Sequence, residues 1–79
     1  MRIAICDDSE IQIDIFMNRI NNFLKRNGDV KALITPYDKG QPLIDDVADG
    51  EWYDIVVLDI VLKEENGIEV AKELRSNGY

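Results

Sequence analysis

The sequence predicts an α/β fold in three layers, a parallel sheet with helices on both faces. Three observations support this fold class. Short apolar runs that are typical of strands alternate with segments whose apolar residues recur every three or four positions, as in helices. Four consecutive apolar residues, 55–58, indicate a strand buried on both faces, which is typical of a parallel sheet. The order strand, helix, strand, helix, strand, helix is that of successive βα units.

The first strand is predicted at residues 2–6, and a helix follows it. Ser9 is expected to be the N-cap of this helix, with Gln12 three residues later, as in a capping box. Asn27 and Gly28 end the helix, because glycine readily takes the left-handed conformation. The apolar face of the helix consists of residues spaced by three and four: Ile13, Phe16, Met17, Ile20, Phe23 and Leu24.

The second βα unit begins with a strand predicted at residues 31–35, which Pro36 is expected to end. Pro42 suits the first turn of the following helix, because its fixed φ is helical and its missing N–H is not needed there. Gly50 ends this helix. Its short apolar face consists of Leu43, Ile44 and Val47.

The third unit begins with a strand at residues 53–59 and continues through a loop to the last helix. Asn66 is expected to cap this helix, with Glu69 three residues later, and Asn77 and Gly78 are expected to end it. Its predicted apolar face consists of Ile68, Ala71 and Leu74.

Composition narrows the possible functions. A chain of 79 residues forms at most one small domain, and 46% hydrophobic with 32% charged residues suits a soluble globular protein. The net charge of −7 argues against a nucleic-acid surface, which needs clustered Lys and Arg. The sequence has neither an apolar run of about 18 residues nor a signal peptide, so we expect no membrane span and a cytoplasmic location.

Two residue types limit the chemistry. Cys6 is the only cysteine, which excludes an internal disulfide and a multi-cysteine zinc site. Histidine is absent, so the chain lacks the commonest general base, and any phosphohistidine must come from another protein.

Three aspartates stand at the ends of predicted strands. If the second strand lies on one side of the first strand and the third on the other, right-handed crossovers place the first helix on one face and the other two helices on the opposite face. Ligands bind at such a switch point, outside the carboxyl ends of the strands. Asp7 and Asp8 follow the first strand and Asp59 ends the third, so their carboxylates would converge there.

Converging carboxylates must bind a cation or take up protons, and oxygen ligands favour Mg²⁺. A carboxylate can also be the nucleophile of phosphoryl transfer. The alternative is structural, because aspartate often caps the helix that follows a strand. For Asp7 and Asp8 alone the two interpretations are about equally plausible, and for Asp59 alone the structural one is favoured. The three together favour a functional site.

The segments IAICDDS and YDIVVLDIVLKEENGIEVAKELR resemble the receiver domain of bacterial two-component response regulators. The resemblance extends over residues 1–79 and implies a flavodoxin-like topology with strand order 2-1-3. The segment DIVLKEENGIE is most similar to the corresponding segment of receivers that are joined to LytTR-type DNA-binding domains. Lys63 and Asn66 depart from the Pro and Asp that the family often has there, and neither departure removes a catalytic group.

The resemblance implies a role for each residue of the site. Asp59 would accept a phosphoryl group from a sensor histidine kinase. Asp8 would bind Mg²⁺ directly and Asp7 mainly through water, and the backbone carbonyl of Val61 would be a further ligand. Such a receiver is a phosphorelay switch rather than an enzyme, and it controls transcription through an output domain that binds DNA.

The resemblance also implies an incomplete receiver, with three βα units of five and no output domain. The Ser or Thr of the fourth strand and the Lys of the fifth are absent. We therefore expect the third strand to have an exposed edge, and the chain either to self-associate through this edge or to be only marginally folded.

Two other functions stay open. One is a Mg²⁺-dependent phosphatase of the haloacid-dehalogenase type, although that family needs a second acid two residues after the nucleophile, where this chain has Val61 after Asp59 and Ser9 after Asp7. The other is a truncated, inert α/β interaction module.

Overall fold

The computed structural model describes residues 1–28, 31–59, 62 and 65–79. In this part of the chain three parallel strands form one sheet in the order β2-β1-β3, and three helices cover it. The strands and helices alternate along the chain: β1 (Arg2–Cys6), α1 (Glu10–Arg26), β2 (Leu33–Tyr37), α2 (Gly40–Ala48), β3 (Ile55–Leu58) and α3 (Gly67–Ser76). The predicted fold class and strand order are therefore confirmed.

β1 is the central strand, and its side chains supply a core on each face. Ile3 and Ile5 pack with Ile13 of α1 on one face. Ala4 and Cys6 point to the opposite face and belong to the larger core, which α2 and α3 cover. This is the arrangement of helices that right-handed crossovers require. No helix in the described part of the chain has the length and apolar character that a membrane span needs.

The predicted bounds of the second strand were wrong by two residues. β2 is Leu33–Tyr37 and therefore contains Pro36, which was expected to end it. The N–H of Leu33 donates to the carbonyl of Met1, and the carbonyl of Tyr37 accepts from the N–H of Asp7, so both residues bond toward β1. Because strand residues alternate, Pro36 faces the outer edge of the sheet, where its missing N–H breaks no hydrogen bond.

The helix caps follow the sequence with one difference. Ser9 is the N-cap of α1, and its side chain accepts a hydrogen bond from the backbone N–H of Gln12 at 3.4 Å. The reciprocal bond of a capping box does not form, because the N–H of Ser9 donates to Asp7 instead. Asn66 caps α3 and accepts from the N–H of Ile68 at 2.9 Å.

The apolar face of α3 was predicted only in part. Leu74 is buried as expected, but its buried companions are Gly67 and Val70. Ile68 and Ala71 are exposed beside β3. The helix has two neighbouring apolar stripes, and the packing of Val70 against α2 decides which of them is buried.

A buried tyrosine pair joins the end of β2 to the segment before β3. The hydroxyl of Tyr37 lies 2.6 Å from a carboxylate oxygen of Asp46 and 2.6 Å from the hydroxyl of Tyr53. The two rings meet edge to face, with centroids 6.2 Å apart. Burial raises the pKa of Tyr37, and its hydrogen bonds to Asp46 and Tyr53 raise that pKa further.

This shift predicts that stability falls at alkaline pH. An unfolded tyrosine loses its proton near pH 10, whereas folded Tyr37 keeps its proton to higher pH. The unfolded state is therefore favoured as the pH rises above about 10. We expect the free energy of unfolding, measured by urea titration with Trp52 fluorescence, to fall above that pH. In Tyr37→Phe this fall should be shallower, and equal slopes in both proteins would contradict the assignment.

Candidate metal centre

Three carboxylates meet at the carboxyl ends of β1 and β3. Asp7, Asp8 and Asp59 each offer one oxygen, and these oxygens lie within 4.8 Å of one another. All three side chains are half-buried. The residues that the sequence predicted to converge are therefore brought together by the fold.

Backbone hydrogen bonds beyond the strand ends hold two of these residues in place. The N–H of Asp59 donates to the carbonyl of Cys6 at 2.9 Å, which continues the β1–β3 ladder by one residue. The N–H of Asp7 donates to the carbonyl of Tyr37 at 3.0 Å and continues the β1–β2 ladder in the same way. The register of the sheet thus sets the separation of the carboxylates.

The side chain of Asp7 has a local partner. Its Oδ1 accepts a hydrogen bond from the N–H of Ser9 at 2.9 Å, at the start of α1. One of its two oxygens is therefore already used to shape the turn between β1 and α1. This bond fits the more indirect metal role that the sequence resemblance implies for Asp7.

The cluster gives its surroundings a negative field. Cys6 is buried directly beneath it, and burial together with the negative charges of Glu65, Asp7 and Asp59 raises the pKa of the Cys6 thiol to about 11. The thiol therefore stays protonated at neutral pH, and a protonated thiol neither binds metals nor attacks electrophiles well.

The donor set fits Mg²⁺. The clustered ligand atoms are all carboxylate oxygens, and a hard divalent cation prefers such donors while it keeps several of its waters. A doubly charged ion also offsets the repulsion among three neighbouring carboxylates. The proposed carbonyl ligand of Val61, and Lys63 beside it, lie outside the described residues.

One contact near the site was not predicted from the sequence. An oxygen of Glu65 accepts a hydrogen bond from the N–H of Gly40 at 2.6 Å, so this carboxylate lies at the N-terminus of α2. Helix N-termini favour negative charge. The bond connects the segment after β3 to the first residue of α2, at the same edge of the sheet as the carboxylate cluster. The sequence around Glu65 is charged and polar, and no pattern in it predicts a hydrogen bond to Gly40.

Gly40, which donates to Glu65, is also packed closely against Val70 of α3. A Cβ atom on Gly40 would lie 2.4 Å from one methyl carbon of Val70 and 3.1 Å from the other. Glycine at this position therefore lets α2 and α3 approach each other, and it keeps the N–H of Gly40 within reach of Glu65.

Comparison with solved structures finds a similar domain. It is the N-terminal domain of a response regulator/sensory box/GGDEF 3-domain protein from Carboxydothermus hydrogenoformans, with a TM-score of 0.73 and 25% sequence identity. The match covers 96% of this chain and 56% of that one, so the chain spans little more than half of the domain it resembles. No protein-family model and no curated protein matches the chain. The similarity supports a receiver-like module of the response-regulator kind.

Proposed function

We propose that the chain is the phosphoacceptor part of a receiver, in which Asp59 takes a phosphoryl group and Asp7, Asp8 and Asp59 hold Mg²⁺. The observation that carries the proposal is the meeting of three carboxylates within 4.8 Å at the ends of two adjacent parallel strands. The sequence resemblance adds the backbone carbonyl of Val61 to the proposed ligand set. The similarity to a response-regulator domain supports the same function.

The reaction proposed for the chain is phosphoryl transfer with the Asp59 carboxylate as the nucleophile. A carboxylate oxygen of Asp59 forms a bond to phosphorus while the bond from phosphorus to the donor breaks, and the leaving group keeps that electron pair. The backbone bond from Asp59 to Cys6 fixes the position of the nucleophile. A bound Mg²⁺ would neutralise charge on the carboxylates and on the transferring oxygens.

The proposed donor is a sensor histidine kinase in the cytoplasm, as the sequence resemblance implies. The phosphohistidine would belong to that kinase, since these 79 residues include no histidine. The module receives the phosphoryl group and does not turn over a substrate, so we propose that it is a signalling switch rather than an enzyme. A LytTR-type DNA-binding output and control of transcription remain proposals from the sequence resemblance. The similar domain belongs to a protein whose other parts are a sensory box and GGDEF.

The test is covalent labelling by phosphoramidate, a small phosphodonor, in the presence of Mg²⁺. We expect intact mass measurement to show one phosphoryl adduct on the wild-type chain and none on Asp59→Asn, because the amide is a poor nucleophile. Chelation of Mg²⁺ should reduce the yield.

Asp38→Asn is the matched control. Asp38 follows β2 at the same edge of the sheet and is outside the carboxylate cluster. This variant should still form the adduct. An adduct on Asp59→Asn, or equal labelling with and without Mg²⁺, would contradict the proposal.

A further inference from the structure

Of the three helices that the structure describes, α2 alone takes its N-terminal cap from a distant segment. Ser9 caps α1 and Asn66 caps α3, and each accepts a hydrogen bond from an N–H two or three residues later. Lys39, the N-cap residue of α2, makes no such side-chain bond, and the first turn of α2 contains no acidic residue. The N–H of Gly40 donates instead to Glu65, 25 residues later in the chain. The cap of α2 therefore depends on where the segment after β3 lies.

The carboxylate of Glu65 is in close contact with the backbone of Gly40. Its Oε1 is 2.6 Å from the nitrogen of Gly40, and its Oε2 would lie 3.2 Å from a Cβ atom added to Gly40. The side chain of Glu65 is half-buried. A hydrogen bond from a backbone N–H to a carboxylate is stronger than one between neutral groups, and a helix N-terminus favours the negative charge. The contact is therefore one that can hold two segments together.

This bond passes across the carboxyl end of β1, on the face that α2 and α3 cover. Gly40 follows β2 and Glu65 follows β3, and β1 lies between these two strands. The side chain of Cys6, the last residue of β1, is on the same face. After burial, the charge of Glu65 is the largest cause of the raised pKa of the Cys6 thiol, ahead of Asp7 and Asp59. Glu65 thus lies beside the carboxylate cluster without belonging to it.

Contacts of three described residues hold the connection between β3 and α3. It begins at Asp59, whose N–H bonds to the carbonyl of Cys6 at 2.9 Å. Leu62 is 8% exposed and belongs to the larger core. Glu65, six residues after Asp59, is bonded to α2. Loss of this last contact would give the connection conformational freedom that a bound cation would have to remove again, at a cost in binding free energy.

We propose that Glu65 is a positioning residue of the metal centre. By holding the connection after Asp59 against the N-terminus of α2, it raises the affinity of Asp7, Asp8 and Asp59 for Mg²⁺. The inference rests on the function proposed above and adds a residue outside its ligand set. Loss of a group that orients a metal ligand typically lowers metal affinity by about 10- to 100-fold. Because such coupling is reciprocal, Mg²⁺ should in turn strengthen the bond between Glu65 and Gly40.

Calorimetric titration of the full 79-residue chain with MgCl₂ tests the inference. We expect Glu65→Ala to weaken Mg²⁺ binding by about tenfold or more. Glu65→Gln loses the charge but keeps an oxygen that can accept from the N–H of Gly40. At about 0.15 M salt, where charges are partly screened, its dissociation constant should lie much nearer to that of the wild type than to that of Glu65→Ala. Equal losses in the two variants would assign the effect to charge and overturn the positioning role.

Two control variants separate this role from stability and from net charge. Gly50 has a φ of 103°, which alanine rarely adopts, so Gly50→Ala strains the other end of α2 without a clash. This variant should be less stable than the wild type and keep its Mg²⁺ affinity. Glu69→Gln removes an exposed carboxylate of α3 that pairs with Lys72. It should also bind Mg²⁺ as the wild type does, and a loss in either control that equals the loss in Glu65→Ala would overturn the inference.

Hydrogen exchange at the amide of Gly40 is a readout that does not depend on the binding isotherm. In the wild type, saturating Mg²⁺ should slow this exchange by about the factor by which Glu65→Ala loses affinity. The amide of Asp49 is the reference, because it bonds to Asp45 at the other end of α2, and its exchange should slow less. Equal slowing at the two amides would indicate general stabilisation and would contradict the coupling.

The outcomes distinguish the role of Glu65 from the function on which it rests. A wild-type chain that does not bind Mg²⁺ would overturn the proposed function, and the role of Glu65 with it. A wild type that binds Mg²⁺ no better than Glu65→Ala does would overturn only the role of Glu65, and the three aspartates would remain the metal centre.

Discussion

Gly40→Ala is expected to destabilise the fold by about 1–3 kcal/mol, the usual cost of overpacking a tight core. The added methyl group would lie 2.4 Å from a methyl carbon of Val70, which is itself 3% exposed. Valine has little freedom to turn away, because its χ1 is restricted in a helix. α2 and α3 must therefore separate. A chain of this length has about 4–12 kcal/mol of total stability, so the loss is a large part of it.

A double-mutant cycle in urea unfolding measures this clash. Val70→Ala creates space where the new methyl group needs it, so Gly40→Ala should cost less in the Val70→Ala background than in the wild type. Alanine keeps the backbone N–H that donates to Glu65, which separates the packing effect from the loss of that bond. Gln41→Ala, an exposed neighbour on the same helix, should be near neutral. Additive costs in the cycle would show that Val70 is not the obstacle.

Asp7→Asn is expected to be more stable than the wild type in magnesium-free buffer and less stable than the wild type in buffer that contains Mg²⁺. The substitution removes one of three clustered charges, and two charges at this separation repel by about 1 kcal/mol even in water. Asparagine keeps an Oδ1 that can accept from the N–H of Ser9, so the turn before α1 is preserved. Without divalent cations we therefore expect Asp7→Asn to be more stable than the wild type by about 1–2 kcal/mol at low ionic strength.

Mg²⁺ should stabilise the wild type and have less effect on the variant. A ligand that binds only the folded state adds about 1.4 kcal/mol at ten times its dissociation constant, and the weakened site of Asp7→Asn should gain less. Urea unfolding at several Mg²⁺ concentrations measures both effects, with Asp38→Asn as the matched control. A wild type that is insensitive to Mg²⁺, or a variant that responds equally, would contradict the metal assignment.

The parts of the fold that the sequence predicted share a physical cause. Val56 and Leu58 of β3 pack against one core and Val57 against the other, although none of them is fully buried and Ile55 is 45% exposed. Asp59 follows this run at the carboxyl edge of the sheet. The convergence of Asp7, Asp8 and Asp59 followed from the strand order and the strand ends. Both depend on patterns within a few residues and on the rules of βα topology.

The parts that the sequence did not predict depend on contacts between distant segments. The sequence did not show that β2 continues through Pro36, because proline is tolerated there only if β2 is the edge strand of the sheet. The burial of Val70 in place of Ile68 depends on the missing side chain of Gly40, about 30 residues earlier. The bond between Glu65 and Gly40 likewise joins the segment before α3 to the first residue of α2, and no local sequence pattern relates the two.

Because the backbone N–H of Asp59 bonds to the carbonyl of Cys6, the carboxylate cluster forms only when β3 is in the correct register with β1. Successive side chains of a strand point to opposite faces, so a slip of β3 by one residue along β1 would turn the Asp59 carboxylate away from Asp7 and Asp8. A misaligned chain could keep its helices and much of its hydrophobic burial and still have no divalent site. Binding of the proposed Mg²⁺ would therefore distinguish the correctly aligned sheet from a compact, misregistered one, which helical content alone does not.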